Sequence, residues 1–194
     1  MAAGTKLQTR AGISDSPEAH DADVEKIVSG LGMSDNLDLR KILLENAAET
    51  VNFLESIGVD FTGPLVQPGF TAKRFYQALP GGRAYIARLA AHCRALGVVM
   101  HTTTRATSLA TTMGRVSGVV AERGGKVETF TARRGVILAS GDLSAAKDIR
   151  RELWGDDLDA LEPLNPASTG DGHRMAIALG ARMVTRPDLV PHGT

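Results

Sequence analysis

The spacing of apolar residues changes after Gly97, and this change limits the fold more than any other feature of the sequence. Before it, apolar residues recur at helical spacing over residues 35–57 and 83–96, and the two runs stop at Gly58 and Gly97. After it, the spacing falls to two and β-branched residues fill the stretch HTTTRATSLAT. The pattern predicts two amphipathic helices followed by strands, which is typical of an α/β protein.

The segments around these helices are interpreted as mostly irregular. Residues 1–30 are polar and predict an irregular arm, in which Ser16 caps a short helix that begins at Pro17. Residues 58–80 predict a long connecting loop with a short strand at 59–61, because glycines and prolines interrupt them repeatedly. Arg74 lies in this loop, and we expect it to be a surface arginine.

Two kinds of strand are predicted further along the chain. The runs 115–123 and 126–132 are joined by Gly124-Gly125, a two-residue link that suits a tight antiparallel hairpin. The run 136–139 (VILA) lacks polar alternation, which predicts a parallel strand buried on both faces. The expected architecture therefore combines helices, an antiparallel β-meander and one buried parallel strand.

Composition excludes several function classes. The 194 residues suffice for one sizeable core, and 22 Lys and Arg balance 22 Asp and Glu, so nothing favours nucleic acid or an anionic membrane as a partner. Cys93 is the only cysteine, which excludes an internal disulfide framework and suits a small apolar core residue. The five histidines show no metal-ligand spacing, so no metal is expected. Without an apolar run near 18 residues or a signal-peptide core, we expect a cytoplasmic protein.

Two corners rich in small residues are the candidate binding sites. Ser140-Gly141 follows the predicted buried strand, at the strand end where ligands gather in α/β sheets, although taken alone the sequence favours an ordinary turn. Thr169-Gly170-Asp171-Gly172 precedes a helical stretch that ends at Gly180. The Asp171 carboxylate can accept hydrogen bonds from a ribose hydroxyl or a ring N–H, or it can simply cap the helix. His173, beside it, is expected at a solvated helix terminus.

These segments carry a family resemblance. GVILASGDL, STGDGHRMAIALGA and PHGT, in this order, resemble the flavoprotein family of fumarate reductases, succinate dehydrogenases and 3-ketosteroid dehydrogenases. The resemblance spans nearly the whole chain and includes SDNLDLRKILLENAAETVNFLESIGVDF, ALGVVMHTTTRATSL and GRVSGVV. It implies a partial FAD-binding, Rossmann-like domain over residues 1–194, with FAD as cofactor.

Site residues follow from the resemblance. It implies that FAD is contacted at Ala106, Ala139, Ser140, Gly141, Thr169, Gly170 and Asp171. It also implies that His192 binds the substrate, while no catalytic residue is assigned. Two positions depart from the family pattern: Asp142 replaces a second glycine, and Gly193 replaces the proline after the substrate-binding histidine. The implied reaction is hydride transfer between flavin and a carbon–carbon bond beside a carboxylate or ketone, so the substrate is a dicarboxylate, an unsaturated acid or a steroid ketone.

The sequence contains no GxGxxG turn, the element that binds the pyrophosphate in such enzymes. We therefore expect an internal piece of a larger enzyme that lacks the N-terminal GxGxxG unit and the capping domain. Such a piece is expected to be inactive alone and to bind FAD weakly or not at all. The alternative is a non-catalytic module or partner subunit that retains the fold without FAD. In either case an exposed sheet edge is expected to favour association with another chain.

Overall fold

The computed structural model describes residues 1–155, 161–163 and 165–184. The chain divides into two compact units, Met1–Met100 and His101–Thr194, which are described separately. Within the described residues, helices combine with two sheets whose strands all pair antiparallel.

The first unit opens with three helices: α1 (Lys6–Arg10), α2 (Pro17–Gly30) and α3 (Leu37–Ser56). Side-chain caps define their starts, since Thr5, Ser16 and Asn36 each accept a hydrogen bond from a backbone N–H of the first turn. The Ser16 cap and α3 confirm the sequence prediction. The expectation of an irregular opening arm is wrong, because α1 and α2 occupy most of it.

A pair of strands and a fourth helix complete this unit. Strands β1 (Asp60–Leu65) and β2 (Phe75–Leu79) pair antiparallel, and α4 (Arg83–Ala95) follows as predicted. The predicted loop over 58–80 therefore contains a second strand. The side chains of β2 alternate, with Tyr76 and Ala78 buried between exposed neighbours. Burial of one face therefore stabilises a strand here, although the nearby glycines and prolines favour a loop.

Arg74, expected at the surface, is instead fully buried in the first unit. Its guanidinium lies between two carboxylates, with Nε 2.7 Å from Oδ2 of Asp15 and Nη1 hydrogen-bonded to Asp23. The two ion pairs supply the compensation that a buried charge requires. Asp23 also accepts hydrogen bonds from the backbone N–H and hydroxyl of Thr71, at 2.8 and 2.7 Å.

The second unit is built on a three-stranded sheet. Strands β3 (Arg105–Thr112), β4 (Arg115–Arg123) and β5 (Lys126–Thr131) lie in the order β3-β4-β5. Gly124 and Gly125 join β4 to β5 with φ of 57° and 75°, a backbone region that favours glycine. The predicted hairpin is confirmed.

The predicted buried parallel strand at 136–139 does not form. The structure contains no strand there, and the Ile137 side chain is 92% exposed. A strand buried on both faces needs paired neighbours, and none of the five strands in the described residues pairs with this segment. Among the residues described after this segment, two short helices form, α5 (Lys147–Trp154) and α6 (Asp171–Ile177).

Candidate functional site

A pocket of about 430 Å³ is formed by residues of β3 and residues of, or just after, α6 in the second unit. Part of its lining is apolar, supplied by Ala106, Leu109, Met175, Ala178 and Leu179. The other part carries charge, from Arg105, Asp171 and Arg174. A concave site with an apolar lining and a few convergent polar groups is the usual form of a small-molecule site.

A bulge in β3 shapes one side of this pocket. Ala106 pairs with Ala121 and Ser108 pairs with Val120, so Thr107 is the extra residue on β3. All five consecutive residues from Arg105 to Leu109 line the pocket, and the bulge interrupts the regular alternation of side chains among them. The bulge therefore lies within the part of β3 that lines the pocket.

Gly170 sets the start of α6 on the other side. Its φ of 73° is left-handed, and a Cβ added there would lie 3.1 Å from Cδ1 of Ile149 and 3.2 Å from Cβ of Ala146. Both the backbone conformation and the tight packing favour glycine at this position. Asp171 then becomes the first residue of the helix, with its carboxylate in the lining of the pocket.

Two arginines approach the Asp171 carboxylate. Nη2 of Arg105 lies 3.2 Å from Oδ2, and Nη1 of Arg174 lies 3.7 Å from Oδ1. Arg174 is held in turn by Asp148, whose carboxylate oxygens lie 2.5 and 2.6 Å from Nη2, and by the carbonyl of Thr169. The hydrogen bond from Arg174 lowers the pKa of Asp148. Positive and negative side chains thus alternate from Arg105 through Asp171 and Arg174 to Asp148, so their charges compensate one another.

The two predicted glycine corners meet in the structure. A Cβ added at Gly172 would lie 2.1 Å from Oγ and 3.2 Å from Cβ of Ser140, and one added at Gly141 would lie 3.4 Å from Oγ of Ser168. The backbone N–H of Ala145 also donates to the carbonyl of Ser168, at 2.9 Å. Residues 140–145 therefore pack directly against residues 168–172.

Asp142, the departure from the family pattern, is turned toward its own loop. The backbone N–H of Ser144 donates to its Oδ1 at 2.7 Å, and this hydrogen bond is the largest of the causes that lower the pKa of Asp142. The Asp142 carboxylate is therefore ionised at neutral pH.

The predicted site residues are thus brought together in part. Ala106 and Asp171 line one pocket, and the corner at Ser140 and Gly141 contacts the corner that contains Gly172. Ala139 is exposed. His192 lies outside the described residues, so its role stays a prediction.

Sequence reasoning missed Arg105 and Arg174. The spacing of three residues between Asp171 and Arg174 on a helix could have indicated that pair. His173 is half-buried rather than solvated, and its Nδ1 has no hydrogen-bond partner among the described residues.

Other kinds of site find no support in the part of the chain that the structure covers. No group of three or more His, Cys, Asp or Glu side chains is arranged to hold a metal ion there. Nor does any helix in that part combine the length and apolar character needed to span a bilayer.

Comparison with protein families places nearly the whole chain in one of them. The family described as FAD binding domain matches residues 1–193. An acrylate reductase flavoprotein subunit from Shewanella woodyi is 30% identical over 191 residues, which cover 91% of this chain and 37% of that protein. An NADH:acrylate oxidoreductase from Vibrio harveyi is 27% identical over 165 residues, covering 81% of this chain and 16% of that protein. The chain thus spans well under half of the length of either relative.

Solved structures show the same relationship. The open conformation of a flavocytochrome c3 fumarate reductase matches 93% of this chain and 32% of its own, with a TM-score of 0.80 and 27% identity. A 3-ketosteroid-Δ4-(5α)-dehydrogenase from Rhodococcus jostii RHA1, solved with 4-androstene-3,17-dione, matches 94% of this chain and 44% of its own, with a TM-score of 0.79 and 25% identity.

Proposed function

The chain belongs to the FAD binding domain family, whose cofactor is FAD, and from this membership we propose that it forms part of the FAD site of an oxidoreductase. The observation that carries the proposal is the pocket in which Ala106 and Asp171, two positions implied to contact FAD, come together from distant parts of the sequence. The intact FAD-binding domain is proposed to be Rossmann-like.

The pocket fits a nucleotide. Its apolar lining suits the face of a planar base, and the Asp171 carboxylate accepts hydrogen bonds from a hydroxyl or a ring N–H. We assign Ala106, Thr169, Gly170 and Asp171 to this contact. The adjoining corner, Ala139-Ser140-Gly141, is assigned to the same cofactor because it packs against residues 168–172.

The reaction is proposed by analogy with the relatives. When bound, FAD supplies hydride transfer to or from a carbon–carbon bond beside a carboxylate or ketone. His192 is assigned to binding that carboxylate or carbonyl oxygen. Two relatives are named for acrylate, which favours an unsaturated carboxylic acid as substrate over a steroid ketone.

The wider setting is also proposed. The chain covers 16% and 37% of the two curated relatives, so the activity is assigned to a whole protein and the 194 residues alone are expected to be inactive. One relative is named as a flavoprotein subunit. This supports association with another chain, which we propose to occur through an exposed edge of the β3-β4-β5 sheet. We also propose a cytoplasmic location.

Asp171→Asn tests the assignment. Asparagine keeps the shape but removes the negative charge and replaces one of the two acceptor oxygens with an NH₂ donor, so we expect FAD binding to weaken about tenfold. Quenching of flavin fluorescence, followed in titrations that extend to millimolar protein so that weak binding registers, gives the dissociation constant.

Asp60→Asn is the matched control, because Asp60 is an exposed residue at the start of β1 in the first unit. Equal affinities for Asp171→Asn and the control would remove Asp171 from the site. A chain that binds no FAD at any concentration would instead favour the alternative, a module that retains the fold without the cofactor, which the absence of a GxGxxG turn from the sequence also favours.

A further inference from the structure

Arg105 and Arg174 both approach Asp171, but they are held in different ways. Arg174 is fixed by hydrogen bonds to both oxygens of Asp148 and to the carbonyl of Thr169. The Arg105 side chain is 73% exposed, and its guanidinium donates a hydrogen bond to Asp171. One arginine is therefore anchored independently of Asp171, whereas the other depends on it.

The contact of Arg105 occupies one of the two acceptor oxygens that Asp171 offers to a ligand. Its Nη2 donates to Oδ2 of Asp171 across 66 residues of sequence, from β3 to α6. Both residues line the pocket. A ligand group that donates to Oδ2 must share that oxygen with the guanidinium or displace it.

We propose that Arg105 is a displaceable gate on the pocket, which occupies Asp171 in the cofactor-free protein and swings away when the nucleotide binds. The inference rests on the proposed function, because the incoming ligand is the FAD assigned to this pocket. Arg174, anchored by Asp148, stays in place and keeps the charge of Asp171 compensated.

The ion pair between Arg105 and Asp171 is weak enough for a ligand to displace it. An ion pair this exposed contributes little to stability, because solvent screens it and ordering the long side chain costs entropy. Displacing Arg105 should therefore cost a small fraction of the binding free energy. The gate lowers affinity slightly and does not prevent binding.

Arg105→Gln tests the gate, since glutamine removes the charge and retains a polar side chain. FAD titrations of the whole chain should show binding about two- to fivefold tighter than in the wild type. The direction is informative because loss of a positive charge near an anionic ligand would by itself weaken binding.

Arg123→Gln is the matched control. Arg123 lies on the neighbouring strand β4 and also forms an exposed ion pair, with Glu128 at 2.8 Å. The Arg123→Gln variant loses the same charge as Arg105→Gln but leaves the contact between Arg105 and Asp171 intact. Its affinity for FAD should therefore equal that of the wild type.

A double variant tests whether Arg105 affects FAD binding through Asp171. If Arg105 acts through Asp171, adding Arg105→Gln to Asp171→Asn should bring no further gain in affinity. A gain that persists in the double variant would overturn the proposal.

The remaining outcomes are distinct. Equal binding by Arg105→Gln and the wild type would overturn the gate but leave the cofactor site standing. Weaker binding by Arg105→Gln would also overturn it, since Arg105 would then stabilise the bound cofactor. Failure of every protein to bind FAD would overturn the site and the gate together.

Discussion

At the scale of single residues, Arg74 shows how much of the first unit depends on distant partners. Its carboxylate neighbours Asp15 and Asp23 lie 59 and 51 residues earlier in the chain. Burial by itself would raise the pKa of Asp23, but the hydrogen bonds from Arg74 and Thr71 outweigh it and lower the pKa to about 2. No local pattern predicts such a cluster, since an arginine among glycines and prolines is usually exposed.

Asp23→Asn should destabilise the protein strongly. The substitution removes one of two carboxylates that compensate a fully buried guanidinium, so we expect a loss of about 3 kcal/mol in the free energy of unfolding. Urea denaturation followed by circular dichroism measures it. Asp38→Asn, at an exposed position in the first turn of α3, should change stability little. If Asp23→Asn lost no more unfolding free energy than the control, Asp15 alone would suffice to compensate Arg74.

The candidate site was predictable at some residues and not at others. The motif resemblance indicated Ala106 and Asp171 because their neighbours in sequence carry the signal. It could not indicate Arg105 as a partner of Asp171, because that contact exists only after β3 and α6 pack together. The resemblance therefore indicated two residues that line the pocket, whereas the pairing of side chains required the fold.

At the scale of elements, long periodic segments were predicted well. The helices α3 and α4 and the β4–β5 hairpin lie close to their predicted bounds, because spacing, caps and the Gly124-Gly125 turn agree. Short apolar runs were predicted poorly. Strand β2 was missed, and residues 136–139 were assigned a strand that does not form, since four apolar residues reveal neither a pairing partner nor its absence.

Gly118→Ala should disrupt the β4–β5 pair. A Cβ at position 118 would lie 2.3 Å from the carbonyl oxygen of Phe130, and a backbone atom held by the sheet cannot easily move away. We expect a loss of roughly 1–3 kcal/mol in the free energy of unfolding, measured by chemical denaturation.

Gly135→Ala is the matched control for this variant. It lies in the same unit, with no atom within 4 Å of an added Cβ. Its stability should therefore stay near that of the wild type. Equal stabilities for the two variants would show that the sheet adjusts freely at position 118.

At the scale of the whole molecule, the buried charges of the first unit predict sensitivity to acid. Burial lowers the pKa of His20 below 6.5, and the nearby charges of Arg74 and the N-terminus lower it further, although Asp15 and Asp23 act in the opposite sense. The pKa values of Asp15 and Asp23 also lie below 3.8. All three groups therefore bind protons more readily in the unfolded chain.

Stability should accordingly fall as the pH falls. The contribution of His20 is complete above pH 6.5 and is lost below it, whereas that of Asp23 is complete above pH 3.8 and is lost toward about pH 2. Asp23 alone contributes about 2 kcal/mol. Thermal unfolding recorded from pH 7 to pH 3 checks the trend, and Asp23→Asn should flatten its acidic part. A melting temperature that stays constant over this range would contradict the assignment.

The turn between β3 and β4 is a suitable place to attach a fluorescent label. Met113 has a φ of 51° and a side chain that is 99% exposed. At about 3.3 Å per residue, it lies roughly 13 Å along the chain from Leu109, the pocket-lining residue of β3 that is nearest to it in sequence. A fluorophore attached to a cysteine introduced there would be clear of the ligand, with half-buried Cys93 as the only competing thiol. The hairpin tip is thus a natural attachment point for following nucleotide binding optically without obstructing it.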